Sequence, residues 1–153
     1  MRELFVVGLL AGAFVAVAPL VGSPVEAQQL SGSVSVPQGN AALGTVELPR
    51  RVMADGRGLD AGSYDVQLTG QSASPSAVGA LGVLERWVEF RQEGDVKGRE
   101  VVTIVPQNEI ADVAKSAPPG VGMSRVELLR ENEYLRVWIN QDGTHYLIHL
   151  SVG

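Results

Sequence analysis

The clearest pattern in the chain is the alternation of apolar and polar residues along its C-terminal third. Asp142-Gly143 is a strong signal for a two-residue hairpin loop. With that pair as the loop, Val137 lies opposite Ile148, and Trp138 lies opposite Leu147. Aliphatic side chains then share one face of the predicted hairpin, as expected for a half-buried antiparallel pair.

The preceding turn predicts a third strand in the same register. With Glu131-Asn132 as the turn, Val126 pairs with Val137 and Leu128 with Leu135. Both turns put the aliphatic pairs on one face, and a slip of one residue would move all of them into water. The pattern therefore predicts a three-stranded antiparallel meander.

The rest of the chain also reads as short strands between turns. Period-two alternation, with Tyr64, Val66 and Leu68 on one face, marks a half-buried strand. The predicted elements are strands at 44–53, 63–69, 85–92 and 99–105, and one helix at 108–115 capped by Asn108.

These elements predict an all-β fold: a single antiparallel β-sandwich of about seven strands, with a small β-barrel as the alternative. An outer-membrane barrel is a weaker alternative, because several of the predicted strands are shorter than the ~9–11 residues needed for spanning.

The N-terminus predicts a helical secretory signal peptide over residues 1–27. Arg2 precedes an apolar run from Leu4 to Val21, and Val25-Glu26-Ala27 supplies small residues for cleavage before Gln28. An uncleaved membrane anchor is the alternative. We expect a flexible leader over 28–43, with at most one edge strand, and an all-β domain over 44–153. The expected location is periplasmic or extracellular, with membrane contact only during export.

Composition narrows the classes of partner. The chain has no cysteine, so neither a lipid-modified cysteine nor a disulfide is available. Its formal net charge is −5, and acidic and basic residues are interspersed without a basic stripe, so we expect no nucleic-acid binding.

The stretch Leu59-Asp60-Ala61-Gly62-Ser63-Tyr64-Asp65-Val66 resembles the L-x-x-G-x-Y-x-V segment of prealbumin-like β-sandwich modules, such as carboxypeptidase regulatory-like domains. The resemblance implies a tight loop feeding a strand whose tyrosine packs inward. It covers eight residues. The whole chain is also similar to small exported bacterial proteins of unassigned activity.

Catalytic and metal chemistry find little support in the sequence. His145 and His149 share one strand face but lie about 13 Å apart at ~3.3 Å per residue, which is too far for one ion, so we predict no metal. Glu127, Arg136 and His149 form instead a predicted row of cross-strand polar contacts. A cluster of carboxylates is interleaved with Arg and Lys and is expected to form a solvated surface: Glu85, Glu89, Glu93, Asp95 and Glu100.

The candidate ligand-binding residues are aromatic. Trp138, Tyr134 and Trp87 are predicted on the face opposite the aliphatic one, where they form a contact patch if the face is exposed, or core residues if a second sheet covers it. The expected function is a non-enzymatic binding or structural module of the cell envelope, without cofactor, whose partner is an envelope protein or a small ligand. The alternatives are a β-domain that binds a small apolar ligand, and a carboxylate-based hydrolase.

Overall fold

The computed structural model describes residues 35–73 and 85–153. The predicted signal peptide at 1–27 and the start of the predicted leader lie outside the described residues, so that part of the chain stays a prediction. No helix within 35–73 and 85–153 is long and apolar enough to cross a membrane.

The described residues form nine strands and one short helix. In chain order the strands are β1 (Ala41–Leu48), β2 (Val52–Ala54), β3 (Arg57–Leu59), β4 (Gly62–Ser72), β5 (Glu85–Gln92), β6 (Asp95–Pro106), β7 (Ser124–Leu129), β8 (Tyr134–Gln141) and β9 (Thr144–Val152), and the helix α1 (Ile110–Val113) lies between β6 and β7. The all-β class is confirmed.

All nine strands belong to one antiparallel sheet. Its main path runs β1-β4-β5-β6-β9-β8-β7, and the β2–β3 hairpin joins β9 beyond the end of β6. The predicted meander registers are confirmed, because Val137 pairs with both Val126 and Ile148, and Trp138 pairs with Leu147.

The sheet curls into a half-barrel. At the far end of β8, the Gln141 side-chain amide donates to the carbonyl oxygens of Ala42 (3.2 Å) and Leu43 (2.9 Å) of β1. These bonds tie the first strand of the path to the far side of the sheet. The two stacked sheets of the expected sandwich are not confirmed, because the described strands form a single sheet.

The concave face of the sheet holds the main core. Every strand of the main path except the edge strand β7 contributes fully buried apolar side chains. Tyr64 of β4 is among them; its hydroxyl donates to the Asp60 carbonyl (2.8 Å) and its ring meets Phe90 edge-on. The inward-facing residues predicted from alternation in β4, namely Tyr64, Val66 and Leu68, are therefore buried as expected.

A buried arginine lies among the apolar residues at one end of this core. Arg86 is in phase with Val88 and Phe90 on β5 and is only 6 % exposed. Its guanidinium donates to the backbone carbonyls of Thr69, Pro37 and Gly39. Burial lowers the pKa of Arg86, yet these carbonyls satisfy its donors without a carboxylate. The arginine thereby anchors residues 37–39 to the sheet.

Several element boundaries differ from the sequence-based prediction; the strand expected at 99–105, for example, is β6 and starts at Asp95. The strand expected at 44–53 is two strands, because Pro49 follows β1 and lacks the N–H that a continuing ladder needs. β1 also starts at Ala41, inside the predicted leader. The helix expected at 108–115 is only α1, and its N-cap is Glu109, without a side-chain cap bond, instead of Asn108.

Candidate functional site

The convex face of the meander carries most of the polar chemistry of the structure. The polar and aromatic residues of β7, β8 and β9 that point away from the core include Arg125, Glu127, Tyr134, Arg136, Trp138, His145 and His149. The chain between β6 and β7 crosses part of this face, and we call residues 107–120 the strap. The strap divides the face into a covered half and an open half.

Trp138 lies in the covered half and is fully buried. Ile110 and Ala114 of the strap pack with Trp138, Leu147 and Val105 in a second apolar cluster. Of the two arrangements that the sequence left open for Trp138, the structure has the covered one, and the cover is the strap instead of a second sheet. A ligand reaches Trp138 only if the strap moves away.

A buried hydrogen-bonded chain holds the strap to the sheet. The Trp138 indole N–H donates to His145 Nδ1 (2.9 Å), and His145 Nε2 lies 2.8 Å from Gln107 Oε1. Because the indole only donates, Nδ1 must be unprotonated, and Nε2–H donates to Gln107. His145 is fully buried, and burial lowers its pKa. The imidazole is therefore held neutral.

The Glu127–Arg136 part of the predicted polar row is present and extends to the strap, whereas His149 lies opposite Arg136 in register without a hydrogen bond to it among the described residues. Arg136 binds Glu127, with Nε 2.8 Å from Oε1, and its Nη2 donates to the Ser116 hydroxyl (3.1 Å) of the strap. Burial acts to raise the pKa of Glu127, but hydrogen bonds and charge from Arg136, together with the charge of Arg125, lower it. The guanidinium groups of Arg125 and Arg136 also lie 5.5 and 5.1 Å from the Trp138 ring.

The open half contains a depression beside the β7–β8 turn. Leu129, Arg130, Tyr134 and His149 line it, and its volume is about 590 Å³. We call it the Tyr134 depression. Tyr134 is 36 % exposed, and the Arg130 guanidinium lies 5.6 Å from its ring centre. The volume falls within the range of small-molecule sites, and the lining combines an apolar surface with a few polar groups.

Arg130 occupies an unfavourable backbone conformation. Its φ is 50°, and the next residue, Glu131, has a φ of 53°, a region that glycine and asparagine enter far more readily. Asp55, Glu93 and Asp142 adopt the same conformation in the other hairpin turns, so it follows from the turn geometry. Among residues 35–73 and 85–153, Arg130 makes no ion pair, so its charge is open to a ligand.

His149 reports the electrostatic character of the depression. The side chain is exposed, unlike that of His145 on the same strand face. Desolvation lowers the pKa of His149, and the charges of Arg136 and Arg130 lower it further against the opposing effect of Glu127. The two arginines therefore outweigh the glutamate at this position.

Trp87, the third aromatic candidate, lies on β5 away from the Tyr134 depression. The Arg99 guanidinium lies 4.3 Å from its ring centre, and Arg99 also pairs with Asp55 (3.1 Å). A smaller depression of about 300 Å³ lies beside Arg99, between the β2–β3 hairpin and β6. The structure therefore does not bring the three candidate aromatics together.

The carboxylates expected on a solvated surface make definite contacts. Glu89 pairs with Arg91 (3.0 Å). Glu100 accepts the backbone N–H groups of Asp55 (2.8 Å) and Val101 (2.9 Å), which ties the β2–β3 turn to β6. Within the described residues, no group of three or more His, Asp or Glu side chains is arranged to hold a metal ion.

Sequence reasoning missed Arg130 and Ser116. Arg130 precedes the predicted Glu131-Asn132 turn. Its left-handed backbone and the position of its guanidinium beside the Tyr134 ring are visible only in the structure. Ser116 lies in a Pro/Gly-rich segment. This segment has no alternation of apolar and polar residues, so the sequence does not indicate that it packs over the sheet.

Comparison of the chain with models of protein families, with curated proteins and with solved structures found no match in any of the three.

Proposed function

We propose that this protein is a non-enzymatic binding module of the cell envelope, exported to the periplasm or beyond, and that its ligand occupies the Tyr134 depression. The observation that carries the proposal is the coincidence of an exposed aromatic ring, an arginine without an ion-pair partner among the described residues and a depression of ligand size. Exposed aromatic and arginine side chains are the residue types that dominate binding energy at recognition sites.

The scaffold under the depression supports a binding role. Tyr134 opens β8, whose next residues Leu135 and Val137 are fully buried in the core. The Arg136–Glu127–Ser116 network holds the adjoining polar side chains in place. Sites built on strands keep their geometry better than sites on loops, so the ligand meets a largely preformed surface.

The alternatives have less support. The concave face, where a small apolar ligand would have to lie, is filled by packed side chains. For a carboxylate-based hydrolase, Glu89 and Glu100 are the natural candidates, yet the first pairs with arginine and the second binds two backbone amides. We also propose that the scaffold is a small barrel and not a sandwich. The hydrogen bond from the Gln141 side chain to β1 supports this proposal.

The test is an amide chemical-shift titration with four probes: maltotriose, trigalacturonate, a glutamate tripeptide and phosphatidylglycerol micelles. We expect at least one probe to shift the amides of Leu129, Arg130, Tyr134 and His149, and Tyr134→Ala to abolish those shifts. Trp87→Ala is the matched control, since it removes an aromatic ring of the same face elsewhere. Silence at the depression with all four probes would overturn the proposal, as would hydrolysis by the wild type that Glu100→Gln abolishes.

A further inference from the structure

Arg130 is the one permanently charged side chain among the described residues that line the Tyr134 depression. Its side chain is exposed, and within the described residues its guanidinium contacts the Tyr134 ring. Arg136 of β8 pairs in register with His149 of β9. Arg136 forms an ion pair with Glu127, and Glu127 forms a second ion pair with Arg125 (3.4 Å). Glu131 and Glu133 belong to the same turn, are exposed, and make no ion pair with Arg130 in the part of the chain that is described. Arg130 therefore presents a planar fork of donors without a protein acceptor.

The lining also favours a ring over an extended chain. Leu129 and Tyr134 offer apolar surface, and the depression lies on the face of the sheet, where side chains and not free backbone groups are presented. An extended peptide binds chiefly through backbone hydrogen bonds to a sheet edge. A ligand that carries its own flat surface and one acidic group matches this lining better.

We infer that the Tyr134 depression recognises a carboxylate carried on a sugar ring, as in a uronic acid, with Arg130 binding the carboxylate and Tyr134 and Leu129 contacting the ring. This inference rests on the proposed binding function and names its ligand class. A guanidinium and a carboxylate form two parallel charge-assisted hydrogen bonds. His149 lies on the opposite wall and becomes a further donor when it is protonated.

Binding of a carboxylate at this place takes up a proton. His149 faces Arg136 from β8, Arg130 from the turn and Glu127 from β7. On the other side of β9, Asp55 of the β2–β3 turn is paired with Arg99, and Glu100 of β6 is bound to backbone amides. An anion beside His149 opposes the two arginines and raises its pKa. The affinity for the acid therefore rises as the pH falls, by at most about tenfold per pH unit.

The experiment compares three ligands by calorimetry: trigalacturonate, its neutral methyl ester and a glutamate tripeptide. The first two share the same rings, and the first and third share the same charge. We expect trigalacturonate to bind at least about tenfold more tightly than the ester, the amount expected from one charge-assisted hydrogen-bonded pair. We also expect it to bind more tightly than the peptide, because only its rings contact Tyr134 and Leu129. If the ester bound equally well, the proposed recognition of the carboxylate would be overturned. If the peptide bound equally well, the proposed recognition of the sugar ring would be overturned. Either result, with amide shifts at the depression, would leave the proposed binding function standing.

Variants assign the residues. Arg130→Gln should weaken trigalacturonate binding by about tenfold or more, and Arg130→Lys, which keeps the charge but not the fork, should weaken it less. Arg57→Gln is the matched control, because Arg57 is an exposed arginine that lines the smaller depression. Thermal melting of each variant establishes that it is folded. A loss in Arg57→Gln equal to that in Arg130→Gln would show a non-specific charge effect and overturn the assignment.

The proton linkage has its own readout. Calorimetry at pH 6.0 in two buffers of different ionisation enthalpy should show proton uptake on binding of trigalacturonate by the wild type and none by His149→Gln. The His149→Gln variant should still bind at pH 7.5, where His149 is neutral in the free protein. Unchanged proton uptake in His149→Gln would overturn the role given to this histidine.

Discussion

The buried imidazole of His145 makes the stability of the fold depend on pH. His145 accepts the Trp138 indole N–H at Nδ1 and is fully buried. A proton on Nδ1 would set two donors against each other and place an unpaired charge in the second apolar cluster. Burial therefore holds the pKa of His145 below its ordinary value of 6.5 in the folded state.

The direction of the effect follows from proton counts. As the pH falls below about 6.5, His145 takes a proton in the unfolded chain but not in the folded one, so the unfolded state is favoured. The loss continues until the pH reaches the lowered pKa of the folded state. Within that window each pH unit costs about 1.4 kcal/mol of unfolding free energy for this one histidine. Glu127, whose pKa lies below its ordinary 4.5, contributes only at more acidic pH.

The assay is urea denaturation at intervals from pH 7.5 to 5.0, followed by circular dichroism. His145→Gln removes the titration and keeps an amide oxygen for the indole. We expect its unfolding free energy to fall less steeply below pH 6.5 than that of the wild type, by up to about 1.4 kcal/mol per pH unit. His149→Gln is the comparison variant. The pKa of His149 is also lowered, by desolvation and by Arg136 and Arg130, so this variant should flatten the slope as well, but less, because the exposed side chain is screened by water.

Two results would refute this reasoning. If wild type and His145→Gln lost stability in parallel over the whole range, His145 would titrate equally in the folded and unfolded states. If His149→Gln flattened the curve more than His145→Gln, the dominant titration would lie in the open half of the face, and the strap would not shield the covered half.

Three further predictions test the fold and the N-terminus. Val137→Asp buries a charge at the centre of the meander and should cost several kcal/mol, on the order of the whole stability of a small domain, whereas Val113→Asp on the exposed side of α1 should cost at most about 0.5 kcal/mol by the same urea assay. Glu89→Gln should change stability by less than about 1 kcal/mol, because its pair with Arg91 is partly exposed. Exported protein should begin at Gln28 on N-terminal sequencing, and a chain retained in the membrane and starting at Met1 would contradict the cleavage prediction.

Alternation and turn chemistry were sufficient to predict the strand pairing of the C-terminal third. Asp142-Gly143 and Glu131-Asn132 set two registers that agree on one apolar face, and both are present residue by residue. Period two assigns each side chain to a face, and in β4 the inward face is also as predicted.

The sequence pattern did not predict which parts of the chain pack against each face of the sheet. Alternation shows that Val137 and Trp138 point in opposite directions, but it carries no information on what packs against either side. The curl of the sheet depends on accumulated strand twist and on contacts such as that of Gln141 with β1, which are distant in sequence. Arg86, one of the basic residues expected on a solvated surface, is buried instead, because it is in phase with Val88 and Phe90 on β5. Its carbonyl partners have no signal in the sequence.

The two histidines show how one strand face serves two purposes. His145 and His149 have the same orientation on β9, and both have lowered pKa values, with desolvation as the first cause. The strap covers the first, so its neutral imidazole becomes part of a packed hydrogen-bonded chain that secures Gln107. The second stands in the open half, beside arginines and the Tyr134 ring, where its charge can change with ligand and pH. Because the strap decides which polar residues of this face are structural, changes in the strap that expose Trp138 should add a second aromatic surface to the site. Changes at Arg130 should act on ligand binding alone.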